Sequence, residues 1–140
     1  MRKIICLLMA ICLMVPLALP AAAASEESST VTPRYTYIRE LNATIDFDSN
    51  GVATCSVKGK AVSASYKVSL QCHFQGYSGT GWISIRNWTA SGNYSVTTTQ
   101  TANARADCLD YRLWVLCQIK DSSGNVLETT TIYEYDYYIP

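Results

Sequence analysis

The feature that most constrains this sequence is the strict alternation of side chains over residues 111–120. One side of the run is wholly apolar and consists of Tyr111, Leu113, Val115, Cys117 and Ile119. The other side is mixed and begins with Arg112 and Trp114. A period of two residues is that of a β-strand, and apolar side chains on both faces are typical of a strand at the centre of a sheet. Residues 121–125, which follow, have the composition of a hairpin turn.

Further segments follow the strand pattern, and no window competes with a helical period. We predict strands over residues 35–47, 52–62, 66–75, 82–88, 94–101 and 126–139. The alternation of the first segment slips near Arg39 and Glu40, which predicts a bulge or a strand that changes sheets. An Asn-Gly pair ends at Gly51 and predicts a tight turn. Seven short strands with turn signals between them predict an all-β, antiparallel sandwich of the immunoglobulin or fibronectin kind over residues 34–140.

Residues 1–24 have the composition of a secretory signal peptide. Arg2 and Lys3 precede an apolar run over residues 4–19, and Ala22, Ala23 and Ala24 supply small residues before Ser25. The run is too short for a stable membrane anchor. We therefore expect cleavage before Ser25, a flexible polar leader over residues 25–33, and a secreted, extracellular product that does not insert into the membrane.

Charge and catalytic residues narrow the function classes. The chain contains 11 basic and 11 acidic residues, with no basic stripe for nucleic acid. His73 is the one histidine, and the adjacent Cys72 projects to the opposite face of a strand, so the two cannot share a proton. No Cys-x-x-Cys pair is present, and residues 46–51 resemble a calcium loop that has Val57 in place of its final carboxylate. We expect no enzyme, no metal and no cofactor.

Aromatic and polar side chains form the one group that indicates binding. If the strands that carry them are neighbours, one sheet face presents Trp114, Arg112, Trp82, Trp88, Arg86, Gln71 and His73. Flat aromatic faces with polar neighbours suit sugars or protein partners. Alternatively, Trp82 or Trp88 turns inward and packs on the core. The sequence therefore predicts a secreted, non-enzymatic binding or surface-interaction module for an unknown protein or glycan partner outside the cell, with a carbohydrate-binding module as the alternative.

The cysteines that remain after residue 24 are expected to form a disulfide, because exported chains meet oxidising conditions. Cys108 and Cys117 lie along one predicted strand, roughly 30 Å apart when it is extended, so they are a poor pair. The connectivity that joins them would also join Cys55 to Cys72, so we do not expect that pair either. Cys72 and Cys108 fall at the same end of the sandwich if their strands are antiparallel neighbours. We predict a Cys72–Cys108 disulfide, or failing that Cys55–Cys108, and a buried free thiol at Cys117.

Two resemblances add to these expectations. Tyr111, with Asp107 and Leu109 before it and Leu113 after it, resembles the tyrosine corner of immunoglobulin-like domains, although Leu113 stands where that pattern has cysteine. The sequence is also similar to a group of small secreted proteins of clostridia-type Gram-positive bacteria without an assigned function. The similarity lies in residues 35–38, 51–56, 66–71 and 121–124 and in the spaced Trp82 and Trp88. The second resemblance implies one sandwich behind a signal peptide and supplies no catalytic residues.

Overall fold

Alternating apolar residues form strands throughout residues 34–139, the part of the chain that this computed structural model describes. The strands are β1 (Ile38–Phe47), β2 (Val52–Ala61), β3 (Lys67–Tyr77), β4 (Trp82–Asn93), β5 (Ser95–Asn103), β6 (Asp110–Lys120) and β7 (Val126–Tyr137). No helix occurs within these residues. The signal peptide predicted for residues 1–24 and the leader predicted for residues 25–33 lie outside the described residues.

The strands form two antiparallel sheets. Sheet A has the order β1-β2-β5, and sheet B has the order β4-β3-β6-β7. The prediction of an all-β antiparallel fold with seven strands is confirmed. Within sheet B, the two central strands place His73 beside Trp114 and Gln75 beside Arg112. This pairing sets the positions of the side chains on the outer face of the sheet.

The hydrophobic core lies between the inner faces of the two sheets. All five apolar residues predicted on one side of residues 111–120 are there, each with 0% exposure. The inner face of β2 contributes only small or branched residues, which are Ala53, Cys55, Val57, Gly59 and Ala61. A Cβ added to Gly59 would lie 3.0 Å from Cγ1 of Val68, so the sheets approach closely at this point. Burial of this apolar surface holds the described residues together as one compact unit.

Aspartate side chains build the two turns that the sequence predicts. Asp48 and Asp121 each accept hydrogen bonds from the backbone N–H groups two and four residues later, at 2.8–2.9 Å. Gly51 and Gly124 then adopt positive φ values of 75° and 87°. Glycine reaches this region without the steric cost that a Cβ imposes. At the start of the chain, the pairing of β1 with β2 shifts between Ile38 and Glu40, which confirms the predicted bulge.

The chain crosses from sheet B to sheet A at Tyr94, a feature that the sequence pattern does not predict. Residues 89–93, which separate the strands predicted over residues 82–88 and 94–101, belong instead to β4, which ends at Asn93. Tyr94 has a positive φ of 67°, uncommon for a residue with a side chain. Its N–H donates to the carbonyl of Tyr66 and its carbonyl accepts from the N–H of Ala61, both at 2.8 Å. These bonds fix the crossover to the ends of both sheets.

Tyr111 fixes the segment that leads into β6. Its buried phenol oxygen accepts the N–H of Arg105 at 3.1 Å and donates to the carbonyl of Arg105 at 3.1 Å or of Cys108 at 3.0 Å. Burial raises the pKa of Tyr111, which keeps the hydroxyl protonated as a donor. The Arg105 guanidinium also pairs with both carboxylate oxygens of Asp107 at 2.9 Å and lowers the pKa of that carboxyl.

All four cysteines of residues 34–139 are buried and carry free thiols. The structure does not bring Cys72 and Cys108 together as predicted. Cys72 pairs with Val115 in the middle of sheet B. The sulfur of Cys108 packs against Gly76 instead, because a Cβ added to Gly76 would lie 2.8 Å from that sulfur. Gly76 is four residues further along β3, a separation of roughly 13 Å. The second choice, Cys55–Cys108, is not formed either.

The hydroxyl of Tyr111 should contribute more to the free energy of unfolding than the hydroxyl of an exposed tyrosine. Tyr111→Phe leaves the backbone groups of residues 105–108 without a buried partner, so we expect the free energy of unfolding in urea to fall by about 1–3 kcal/mol. Tyr135→Phe is the control, because Tyr135 is 59% exposed and its change should cost less than about 0.5 kcal/mol. Equal effects of the two substitutions would contradict this role for Tyr111.

Candidate binding face

The outer face of sheet B carries a connected group of aromatic and polar side chains, which we call the aromatic face. It consists of Gln71, His73, Gln75, Tyr77, Trp82, Arg112, Trp114, Tyr133 and Tyr135. Each of the four strands contributes to it, because the antiparallel register aligns these residues in adjacent cross-strand rows. The face is therefore a product of the strand order β4-β3-β6-β7 and not of any one segment.

Arg112 is the centre of this face. Its guanidinium lies 4.2 Å from the centroid of the Trp82 ring and 5.4 Å from that of Tyr133. Its Nε donates to Oε1 of Gln75 at 2.8 Å, which orients the guanidinium plane. Cation–π attraction of this kind orders both the cation and the rings. Within residues 34–139, no hydrogen bond uses the Nη1 and Nη2 groups of Arg112.

The aromatic rings continue the contact across the sheet. Trp82 lies 5.4 Å from Tyr77 and 6.1 Å from Tyr135, centroid to centroid. Tyr133 and Tyr135 are nearly parallel at 6.2 Å and are 48% and 59% exposed. Exposed tyrosines have an apolar ring and a polar hydroxyl, which suits them to contact a partner at low cost in side-chain entropy.

A shallow cavity of about 350 Å³ lies beside these rings. Its walls are Gln71, His73, Gln75, Arg112, Trp114 and Tyr133. The His73 ring meets Trp114 edge-on at 4.7 Å, and Nε2 of His73 is 3.1 Å from the side-chain nitrogen of Gln71. Amide, imidazole and guanidinium groups therefore surround a shallow hollow together with the rings of Trp114 and Tyr133.

The sheet face around the cavity has few charges. Four consecutive cross-strand rows carry hydroxyl, amide, imidazole and apolar groups, and Arg112 is the one charged residue in them. The first of these rows contains Ser84 and Gln75, and the last contains Ser91 and Ser69. The nearest acid on this face is Asp110, in the row beyond Arg112. This part of the surface therefore carries little charge.

Two of the predicted face residues lie elsewhere. The pairing of β3 with β4 shifts between Phe74 and Gln75, and this bulge at Ile85 reverses the side-chain parity along β4. Trp88 therefore pairs with Cys72 and packs partly buried against the core, with its Nε1 buried and unpartnered. Arg86 donates from Nη1 to the carbonyl of Thr101 at 3.0 Å and so links the edge of sheet B to β5.

The other five predicted residues, Trp114, Arg112, Trp82, Gln71 and His73, do share the outer face. Sequence reasoning omitted Tyr133, Tyr135, Tyr77 and Gln75. The regular spacing of the tyrosines at positions 133 and 135 was a usable signal, but their side of the sheet depends on how β7 pairs with β6. The partner strand cannot be read from the spacing alone.

A second cavity of about 270 Å³ lies at the Tyr111 end of the molecule. It is lined by residues that include Gly51, Ala104, Arg105, Cys108 and Tyr138. The guanidinium of Arg105 is already paired with Asp107, and burial raises the pKa of the Cys108 thiol. These groups suit a packed end of the sandwich better than a catalytic site.

The residues considered for chemistry do not form a constellation. His73 is on the outer face of β3, whereas Cys72 is on the inner face, where burial raises its pKa to about 12. Asp48 uses one carboxylate oxygen for its own turn. Within the described residues, no group of three or more His, Cys, Asp or Glu side chains is placed to hold a metal ion. Residues 34–139 likewise contain no helix long and apolar enough to cross a membrane.

Comparison with known proteins gives no match to a family model and no significant match to a curated protein sequence.

The contact between Arg112 and Trp82 should appear as a coupling energy. In a double-mutant cycle of Arg112→Gln and Trp82→Leu, we expect a coupling of about 0.5–1 kcal/mol in urea unfolding, because each change removes the same cation–π contact. Lys67→Gln with Trp82→Leu is the control pair, since Lys67 lies at the opposite end of β3 from the Trp82 row. A coupling near zero for Arg112 and Trp82 would show that their contact does not order the face.

Proposed function

We propose that the chain is a secreted, non-enzymatic binding module that contacts its partner through the aromatic face. The observation that carries the proposal is the convergence of four strands on one outer surface, where Arg112 is held between Trp82 and Tyr133 above the cavity. Ordered aromatic and arginine side chains are the residues that dominate binding energy in known interfaces. Export rests on the composition of residues 1–24.

We further infer that the sandwich is of the immunoglobulin or fibronectin kind. The strand order supports this, because β2 and β3 lie in different sheets and β3, β6 and β7 are consecutive neighbours, as in such domains. The hydrogen bonds of the Tyr111 hydroxyl to the backbone of Arg105 and Cys108 have the form of a tyrosine corner. Many cell-surface domains share this architecture, and by analogy of fold alone this agrees with a binding role.

Among the partners considered, a neutral glycan suits the aromatic face best. The C–H faces of a pyranose ring are apolar and pack on aromatic rings, while its hydroxyls bond to amide and guanidinium groups at the ring edge. Gln71, Gln75, His73 and the Nη groups of Arg112 supply such partners around the cavity. The four central rows lack carboxylates and carry a single cation, so they offer no network for a highly charged ligand.

The test is binding of the purified protein to immobilised neutral oligosaccharides of glucose, mannose, galactose and N-acetylglucosamine. We expect binding to at least one of them, and we expect Tyr133→Ala and Trp114→Ala each to weaken it by about tenfold or more. Tyr133 is the cleaner site, because its 48% exposure means that the change has little effect on the core. Urea unfolding of each variant separates lost binding from lost stability.

Thr97→Ala is the control, because Thr97 lies opposite Lys58 on the exposed face of sheet A and should not affect binding. Equal loss for Thr97→Ala and Tyr133→Ala would place the ligand elsewhere. Absence of binding to every neutral sugar would reject the glycan. If the protein instead binds a protein partner with an affinity that depends on Tyr133, the aromatic face is the binding site and its ligand is a protein.

A further inference from the structure

Three wholly buried thiols lie in the core, separate from the proposed binding face. Cys55 on β2, Cys72 on β3 and Cys117 on β6 are exposed by 1%, 0% and 0%. Burial raises the pKa of Cys55 and Cys72 to about 12 and that of Cys117 to about 11. Thiols in this state are poor nucleophiles and poor metal ligands while the sheets are closed.

The register of sheet B excludes a disulfide between Cys72 and Cys117. Cys72 lies opposite Val115, and Cys117 lies opposite Leu70, so Cys72 and Cys117 are diagonal neighbours. Diagonal neighbours are roughly 7–8 Å apart in an antiparallel sheet, with their Cβ atoms somewhat closer, whereas the Cβ atoms of a disulfide are about 3.5–4.5 Å apart. Cys108 is excluded as well, because it packs beside Gly76 near the end of β3.

Contacts between the sheets show what Cys55 faces. At one end of β2, a Cβ on Gly59 would meet Val68 at 3.0 Å and Leu70 at 3.2 Å. Towards the other end, Phe47, which pairs with Ala53, lies 6.3 Å from Phe74. Cys55 lies between Ala53 and Gly59 on the inner face of β2, and Cys72 lies between Phe74 and Val68 on the inner face of β3. The two cysteines therefore occupy corresponding positions on facing strands.

The small residues of β2 permit a covalent link between the sheets. Facing sheets are usually about 10 Å apart, and a disulfide needs Cα atoms within about 7 Å. Ala53, Gly59 and Ala61 lower the volume between β2 and β3, and the close approach at Gly59 shows the effect. No comparable row of small residues lies on the inner face of β6, which carries Tyr111, Leu113 and Ile119.

We propose that Cys55 and Cys72 form an intersheet disulfide when the chain folds in the presence of a small-molecule disulfide such as oxidised glutathione. One cysteine thiolate attacks the glutathione disulfide, forms a mixed disulfide and releases one glutathione thiolate. The other cysteine thiolate then displaces the second glutathione. Two protein thiols and one glutathione disulfide thus become one protein disulfide and two glutathione thiols.

The disulfide should form in the unfolded chain and not in the folded sandwich. An oxidant cannot reach side chains that are 0–1% exposed, and the thiolate fraction is small when burial raises the pKa to about 12. The link should therefore form before β2 and β3 close. Oxidation of the already folded, reduced protein should be much slower than oxidation during refolding.

The experiment uses a chain that begins at Ser25, which contains the whole compact unit and leaves Cys55, Cys72, Cys108 and Cys117 as its cysteines. The reduced, denatured chain is refolded with oxidised and reduced glutathione, the remaining thiols are blocked, and the product is digested with trypsin without reduction. Cleavage after lysine and arginine places each cysteine in a different peptide, over residues 40–58, 68–86, 106–112 and 113–120. We expect peptides 40–58 and 68–86 to be linked.

Thermal unfolding supplies the second measurement. The oxidised protein should melt roughly 10 °C higher than the reduced protein, because the link restricts the unfolded chain. Cys117→Ala is the matched control, since Cys117 is equally buried and should keep this difference, whereas Cys55→Ala or Cys72→Ala should abolish it. A different linked pair in the digest, or only free thiols after refolding with glutathione, would overturn the proposal. The wild-type digest decides this even where a variant does not fold.

Discussion

The structure depends on the complete burial of alternate residues along β3 and β6. Val68, Cys72, Phe74 and the inner residues of β6 are withdrawn from water, and each intervening residue is directed outward by the pleat of the sheet. This division fixes the register of the central pair, because a slip by one residue would bring polar side chains into the core. The outer face is thus determined by the inner one. His73 meets Trp114, and Gln75 meets Arg112, because the apolar rows beneath them are in register.

Contacts at the ends of the strands keep the two sheets aligned. The Glu128 carboxylate at the start of β7 accepts the backbone N–H groups of Thr36, Tyr37 and Ile38 at 2.8–3.0 Å, and so ties sheet B to the entry of sheet A. Tyr94 ties β2 to the entry of β3 through its own backbone, and Tyr111 holds the chain that enters β6. Each contact satisfies backbone groups that would otherwise lack partners where the strands end. Sheet packing alone would leave these segments free to fray.

The inner and outer faces of sheet B have different chemistry, and this separates the two proposals made for the protein. On the outer face, Arg112 contacts the Trp82 and Tyr133 rings, and this is the surface that we propose for binding. On the inner face, Cys72 is closed to solvent, and only the folding chain exposes it. A disulfide to Cys55 would strengthen the support beneath the binding face without altering the surface. The proposed binding face and the proposed disulfide therefore involve different side chains of the same strand, β3.

Local sequence determined the strands, the turns and the core. The period of two residues identified all seven strands, and the aspartate-glycine turns ended two of them, because pleat direction and turn conformation are set by neighbouring residues. The slip near Arg39 was visible for the same reason. The bulge at Ile85 was not visible in the sequence, because the alternation of residues in β4 continues without a break. Trp88 and Arg86 were therefore assigned to the wrong side of the sheet. Strand order, and with it the composition of the outer face of sheet B, was decided only by tertiary structure, because it depends on how separate strands pair and not on the spacing within any one of them.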